Sequence, residues 1–443
     1  MRHVASTTAV NILLLLLGLL TSTFASRLLG PQGRGEVAAV QNFTAFLCML
    51  AMVGLPDALT YSSARSRERS REWLTTALLI SITLALPVGL IGSAALSLAL
   101  GSQRNSIVDV ARVYLLSIPF QICASFPFNC LQGALRMARW NALRLAGPLL
   151  WLTTLTVCWW TSADGIVPAE KVLKVHAGAL VVYAVIVFLA TNNALEGPFI
   201  FRSSAARQLV HFGSSAALSA VPQQLNLRFD QLLMAAWLPP ALLGKYAVSV
   251  AWSNLVSSLT QAAGQIAFPS IANTESIERR REIGGRVMRC SIAGGCTVSI
   301  AWGAASILLF PLFMGQAFED TLYLLAILIP AAAIASVSSV TSQILKGLGR
   351  PRDVLFAVAW GLVATVILLM LLLRRFQLVG ASITSFMSYG VSLLVGLINV
   401  KKALGVSARE LLVPSSNDWL FPARLFKRTI QSLLTAVPAE TPV

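Results

Sequence analysis

One apolar run of the chain carries an arginine, an aspartate and four amides within nine residues: Gln223-Gln224-Leu225-Asn226-Leu227-Arg228-Phe229-Asp230-Gln231. The run extends roughly from Val210 to Leu238, long enough to cross a bilayer as a helix, which takes about 20 residues. An ionised side chain in hydrocarbon is costly and normally faces protein or water. A guanidinium presents a planar fork of donors, and an amide both donates and accepts. At helical spacing Gln223, Asn226 and Asp230 share one side, with Gln224, Arg228 and Gln231 beside them. Leu225, Phe229, Leu232 and Ala236 take the opposite face. Arg228 and Asp230 stand two apart, so they do not face each other and each needs a partner elsewhere. Two readings are open: a pair between helices that fixes packing, or a water-filled path through a membrane lined by this helix. Further candidates for such a lining are Asn11, Asn129, Gln132, Asn254, Gln261 and Gln265, the last two one helical turn apart. Taken singly, each of these amides could equally be a packing hydrogen bond.

The elements that must position these residues follow from composition. The chain has 443 residues, 56% hydrophobic and 12% charged, against about 25% charged in a soluble domain. Twelve long apolar segments are legible, near 7–27, 37–61, 74–100, 111–135, 143–161, 173–191, 210–238, 242–269, 287–313, 321–345, 354–373 and 377–399. All read as helices, because membrane strands would be about ten residues long with alternating polarity. The expectation is an all-α polytopic membrane protein of about twelve transmembrane helices. Arg2, His3 and Thr23-Phe24-Ala25 around the first run could mark a cleaved signal peptide; the internal repeat described below, which follows at once, argues against that. The six cysteines lie in or beside apolar spans without metal-ligand spacing, and the three histidines do not cluster. No metal or cofactor is expected.

Lys and Arg mark cytoplasmic loops. On a twelve-span topology, 24 of the 34 Lys and Arg fall on the side of the termini and nine on the other, with Arg228 inside the membrane. Both termini are therefore expected in the cytoplasm. The net charge of +16 is spread over short loops beside anionic lipid, which argues against nucleic acid as a partner. The runs Arg65–Arg71 and Arg279–Arg281 read as topology anchors.

Two echoes organise the chain. Leu29-Gly30-Pro31-Gln32-Gly33-Arg34-Gly35-Glu36-Val37-Ala38 and Leu238-Pro239-Pro240-Ala241-Leu242-Leu243-Gly244-Lys245-Tyr246-Ala247 share the pattern L-x-P-x-x-x-G-x-x-A. Leu131-Gln132-Gly133-Ala134-Leu135-Arg136 is echoed by Leu345-Lys346-Gly347-Leu348-Gly349-Arg350 at nearly the same shift. Such order predicts two six-helix halves around a central cavity: an N-terminal lobe over 1–197, a C-terminal lobe over 198–400 and a cytoplasmic tail over 401–443. In the tail, Phe426, Ile430 and Leu433 form an apolar stripe opposite Arg424, Lys427 and Arg428, the pattern of a short helix lying on a membrane surface.

Ser26-Arg27-Leu28-Leu29-Gly30-Pro31-Gln32-Gly33-Arg34-Gly35 resembles the first-loop signature of bacterial lipid-linked oligosaccharide flippases. These belong to the multidrug/oligosaccharidyl-lipid/polysaccharide exporter superfamily. Arg228-Phe229-Asp230 with Leu243-Gly244-Lys245-Tyr246-Ala247 is similar to that family's seventh-span pattern, and Gly347-Leu348-Gly349-Arg350-Pro351 to its tenth-span ending. The resemblance implies a monomeric transporter in the bacterial inner membrane. It would move an undecaprenyl-diphosphate-linked oligosaccharide from the cytoplasmic to the outer leaflet by alternating access, among membrane lipids and the polysaccharide polymerase machinery. Substrate-binding candidates are Arg228, Asp230, Asn226, Gln223, Gln224, Asn11, Gln132, Gln261 and Gln265. The first span is less charged than the family pattern implies, offering only Asn11, Thr21, Ser22 and Thr23. No nucleotide-binding loop is present, so an ion gradient, the membrane potential or downstream removal of glycan would drive transport. Asp230 is the titratable candidate for coupling to a proton or sodium ion. Rival readings are a lipid II flippase, a drug exporter, or a membrane glycosyltransferase or polymerase. The enzymes need a large outer loop and a carboxylate pair; here the outer loops are short, and the adjacent Glu319-Asp320 has no nearby His or third acid.

Overall fold

The expected apolar spans are helical in the structure, a computed structural model. It describes residues 2–162, 167–272, 274, 276–414 and 419, without the side chains of 2–9, 12, 219–220, 258–270 and 272. The helices are α1 (Arg2–Met52), α2 (Leu55–Arg65), α3 (Ser70–Ala99), α4 (Asn105–Leu115), α5 (Ile118–Gly133), α6 (Met137–Trp160) and α7 (Ala169–Asn192). They continue with α8 (Ser203–Trp237), α9 (Pro240–Ala272), α10 (Ile277–Met314), α11 (Leu322–Gly347), α12 (Pro351–Leu404) and α13 (Ala408–Leu412).

Two of these are double. Gly30, with φ 62 and ψ −178, turns the backbone out of α1 just before Pro31, so α1 holds the first expected span and most of the second. Gln377, with φ 45 and ψ −119, breaks α12 between the last two. The expected span 111–135 is broken as well, since α4 and α5 meet at 49° next to Pro119, which cannot donate to a helix ladder. Among the described residues seven helices are long and apolar enough to cross a membrane, or eight if the bent pair is one span. That tally takes α1 and α12 once each and omits α8 and α9, so it is compatible with twelve spans. The stripe Phe426, Ile430 and Leu433 lies outside the described residues.

The chain divides into two compact units, one of Met1–Val221 with Gln231–Lys245, the other of Pro222–Asp230 with Tyr246–Val443. Helix α8 therefore serves both. In the first unit α1 packs on α3 and α6, and α5 on α2, α3 and α7. The two copies of the L-x-P-x-x-x-G pattern meet here, backbone against backbone. A Cβ on Gly35 would stand 1.7 Å from the Pro240 carbonyl oxygen, and one on Gly244 would stand 1.9 Å from that of Pro31. Beside this contact the buried Glu36 carboxylate takes a two-pronged bond from Arg104, at 2.8 and 2.9 Å. That bond, the larger cause, and the charge of Glu36 raise the affinity of the Arg104 guanidinium for its proton above the ordinary value.

In the second unit α11 packs on α10 and α12 around Met288, Val340, Ile344, Leu345, Val400 and Leu404. The second sequence echo has one geometry in both units. The amide of Arg136 donates to the carbonyl of Leu131 at 2.9 Å, and that of Arg350 to Leu345 at 2.9 Å. Leu135 donates to Gln132 and Gly349 to Lys346. Leu135 and Gly349 both have positive φ, 57 and 73. Each helix end is thus the same Schellman turn.

Candidate functional site

The polar sector of α8 is shared out among different neighbours. Asn226 and Asp230, one turn apart, belong to the second unit and are 9% and 5% exposed. Tyr246, the first residue of the second unit's part of α9, donates its hydroxyl to Asp230 Oδ2 at 2.6 Å. Ser385 Oγ, on the second half of α12, lies 3.0 Å from the Tyr246 hydroxyl and 3.5 Å from the same Asp230 oxygen. Asn226 Oδ1 accepts from Thr365 Oγ1, on the first half of α12. Gly361 permits that approach: a Cβ there would stand 1.8 Å from Ser392 Oγ and 3.3 Å from Asn226 Nδ2. A buried carboxylate and a buried amide are satisfied in this way by hydroxyls from both halves of one broken helix, as burial of polar groups demands.

One residue further along, α8 changes allegiance. Gln231 Oε1 accepts from Asn42 Nδ2 of α1 at 2.7 Å, within the first unit. Ser102 Oγ stands 2.8 and 2.6 Å from the carbonyl oxygens of Ala235 and Leu238, holding the end of α8 to the connection before α4.

Gln223, Gln224 and Arg228 are exposed, on the remaining face of α8. Arg228 also feels the charge of Asp230. The polar residues of α8 thus fall into two sets: Asn226, Asp230 and Gln231 bond to side chains within the units, and Arg228, Gln223 and Gln224 lie on the exposed face. Asn11, Gln132 and Asn254 are exposed on α1, α5 and α9. Asn129 Nδ2 turns back to the Ser125 carbonyl of its own helix at 3.2 Å. Gln261 and Gln265 lie on α9, but their side chains fall outside the described residues.

Sequence reading missed Tyr246, Thr365 and Ser385. A signal for them existed in α12, where Ser385, Ser388 and Ser392 recur at helical spacing in an otherwise apolar run and are all buried. It marks a polar face without naming its partner. Among the described residues no three His, Cys, Asp or Glu converge as metal ligands would.

The fold has counterparts among solved structures. The chain superposes on Lipid II flippase MurJ in its inward closed conformation with a TM-score of 0.75, covering 98% of this chain and 93% of that one at 12% identity. On an inward-facing multidrug resistance MATE family transporter of the MOP superfamily the TM-score is 0.68, covering 91% of this chain and 99% of that one at 15% identity. The fold is therefore shared with these two transporters.

The sequence narrows the class further. Residues 1–275 match the model of the Polysacc_synt family, described as polysaccharide biosynthesis protein, and the chain belongs to that family. A relative from Haloferax volcanii, the probable low-salt glycan biosynthesis flippase Agl15, is 23% identical over 383 residues, 84% of this chain and 77% of the relative. The chain is thus a multi-pass membrane protein of a polysaccharide biosynthesis family, with the fold of solved flippases and transporters.

Proposed function

We propose that the protein flips an undecaprenyl-diphosphate-linked oligosaccharide from the cytoplasmic to the outer leaflet of a bacterial inner membrane by alternating access, for O-antigen, capsule or exopolysaccharide synthesis. Arg228 carries this reading: a guanidinium within an apolar helix, on an exposed face with Gln223 and Gln224. A guanidinium at membrane depth is tolerated where it meets water, protein or an anion. Its fork matches a diphosphate with two parallel bonds, and neighbouring amides match sugar hydroxyls. The glycan biosynthesis flippase among its relatives supports the same substrate class.

The charge distribution supports cytoplasmic termini, and the two sequence echoes support a pair of related six-helix halves. The protein works as a monomer, feeding polymerase machinery on the outer side. The coupling group is Asp230, through a proton or sodium ion. The rival substrate is lipid II or a drug, the alternatives that the resemblance leaves open and that the names of the structural neighbours carry.

The test is transport per folded molecule in proteoliposomes carrying a lipid-linked oligosaccharide. Arg228→Lys keeps charge without the fork and retains part of the rate; Arg228→Ala retains very little. An Arg228→Ala variant that melts normally and still flips the glycan at the wild-type rate removes Arg228 as a headgroup ligand. Analysis of which lipid-linked glycan accumulates on the inner leaflet after gene deletion separates the substrate classes.

A further inference from the structure

The connection between α7 and α8 has a composition unsuited to a loop in water. Phe199, Ile200 and Phe201 follow one another in non-helical backbone and are 44%, 37% and 52% exposed. Connections that run through water are normally polar. This one also folds back along its own helix. The Phe199 ring lies 5.8 Å from that of Phe188, which sits one turn before the end of α7 at Asn192. The Phe199 side chain thus lies against the last turn of α7.

Irregular backbone near hydrocarbon must have its polar groups satisfied, and Arg71 does this for three carbonyls of the connection. Its Nη2 donates to Asn192 at 2.6 Å, its Nη1 to Gly197 at 3.3 Å and its backbone amide to Glu196 at 2.9 Å. Its guanidinium then lies over the Phe199 ring, 5.0 Å from the centroid. Pro198 has no N–H to satisfy. Gly197, at φ 92, passes where a Cβ would stand 2.5 Å from the Glu68 carbonyl oxygen. The buried Glu72 carboxylate holds Arg69 at 2.5 Å and reaches Arg202 at 3.7 Å. Arg202 and Arg207 themselves stay exposed beside the apolar trio.

We infer that residues 197–202 form a strap docked on the bilayer surface, with Phe199, Ile200 and Phe201 at the boundary of headgroups and acyl chains and Arg202 and Arg207 against anionic phospholipid. Apolar rings and flanking cations are the side chains that hold a segment at this depth, and each cation beside an anionic surface adds about 1 kcal/mol. The strap joins the two expected halves, so this contact bears on the proposed alternation. The docking itself does not depend on which leaflet is involved.

The test places p-benzoylphenylalanine at position 201, or at exposed Arg67 as control, in the full chain reconstituted in phosphatidylcholine alone or mixed equally with phosphatidylglycerol. After illumination, position 201 is expected to give severalfold more lipid adduct than position 67. In the mixture phosphatidylglycerol should dominate over phosphatidylcholine by about fivefold for each arginine engaged. Equal, low lipid adducts at both positions, or adducts from 201 to protein alone, overturn the strap. Adducts without lipid preference leave the apolar docking and overturn the role of Arg202 and Arg207. Transport is not read in this experiment, so its failure is separate from failure of the flippase reading.

Discussion

Gly35 and Gly244 stand in equivalent positions of the two copies of one sequence pattern, and each lies against the carbonyl of the other copy's proline, Pro240 and Pro31. The exchange is reciprocal, which two equivalent segments achieve only when they meet about a local two-fold. No side chain fits either position. Gly35→Ala and Gly244→Ala should each destabilise the folded protein by about 1–3 kcal/mol or more, as overpacking against rigid backbone does. The double variant should cost less than the sum, because one contact is lost once. Melting in detergent checks this, with Gly89→Ala, which meets open space, as the neutral control. Additive losses would show that the two glycines act separately.

Leu135 and Gly349 close identical turns at the ends of α5 and α11, yet one is a leucine held at φ 57. A left-handed conformation costs an L-residue roughly 1–2 kcal/mol, while glycine brings about 0.5–1 kcal/mol of extra chain entropy to lose. Leu135 is largely exposed, so its side chain gives little back. Leu135→Gly should raise the melting temperature slightly, and Gly349→Ala should lower it through a loss of about 1 kcal/mol. Equal signs for the two changes would contradict the equivalence of the turns.

Tyr246 is the short-range donor to the Asp230 carboxylate. Tyr246→Phe keeps the ring and removes that bond; the expected loss is about 1.5–3 kcal/mol, the range for a hydrogen bond to a charged acceptor. Asp230→Asn keeps an oxygen for the tyrosine and should fold. If Asp230 carries the coupling ion, the folded Asp230→Asn variant transports without responding to an imposed gradient. A wild-type response in that variant assigns coupling elsewhere.

Helix positions were legible from apolar runs alone, because a backbone in hydrocarbon has few alternatives to a helix. The expected spans 7–27 and 37–61 left Gly30 and Pro31 between them, where α1 breaks; the echo around Leu135 and Gly349 was legible as a repeat, and the turn geometry the two share came only from the backbone. Burial of Asn226 and Asp230 was not legible. Spacing puts them beside Arg228 on one broad polar sector, and only the packing of α12 divides that sector into satisfied and exposed parts. Thr365 and Ser385 stand 139 and 155 residues away from their partners on α8. Helical periodicity says which way a side chain points and nothing about what meets it there.

The division of α8 and α9 between the two units has a consequence for biosynthesis. Residues Gln231–Lys245, including Gly244 and the Asn42 partner Gln231, complete the first unit, although they are translated after the whole of α7 and the strap. A ribosome must therefore read well past the first six expected spans before the earlier-made helices can close their own packing. Until then Gly35 and Asn42 wait without their counterparts inside the membrane. A stop or a break in the chain between Asn192 and Gln231 would release not a finished N-terminal half but one with an open seam, a natural substrate for membrane quality control.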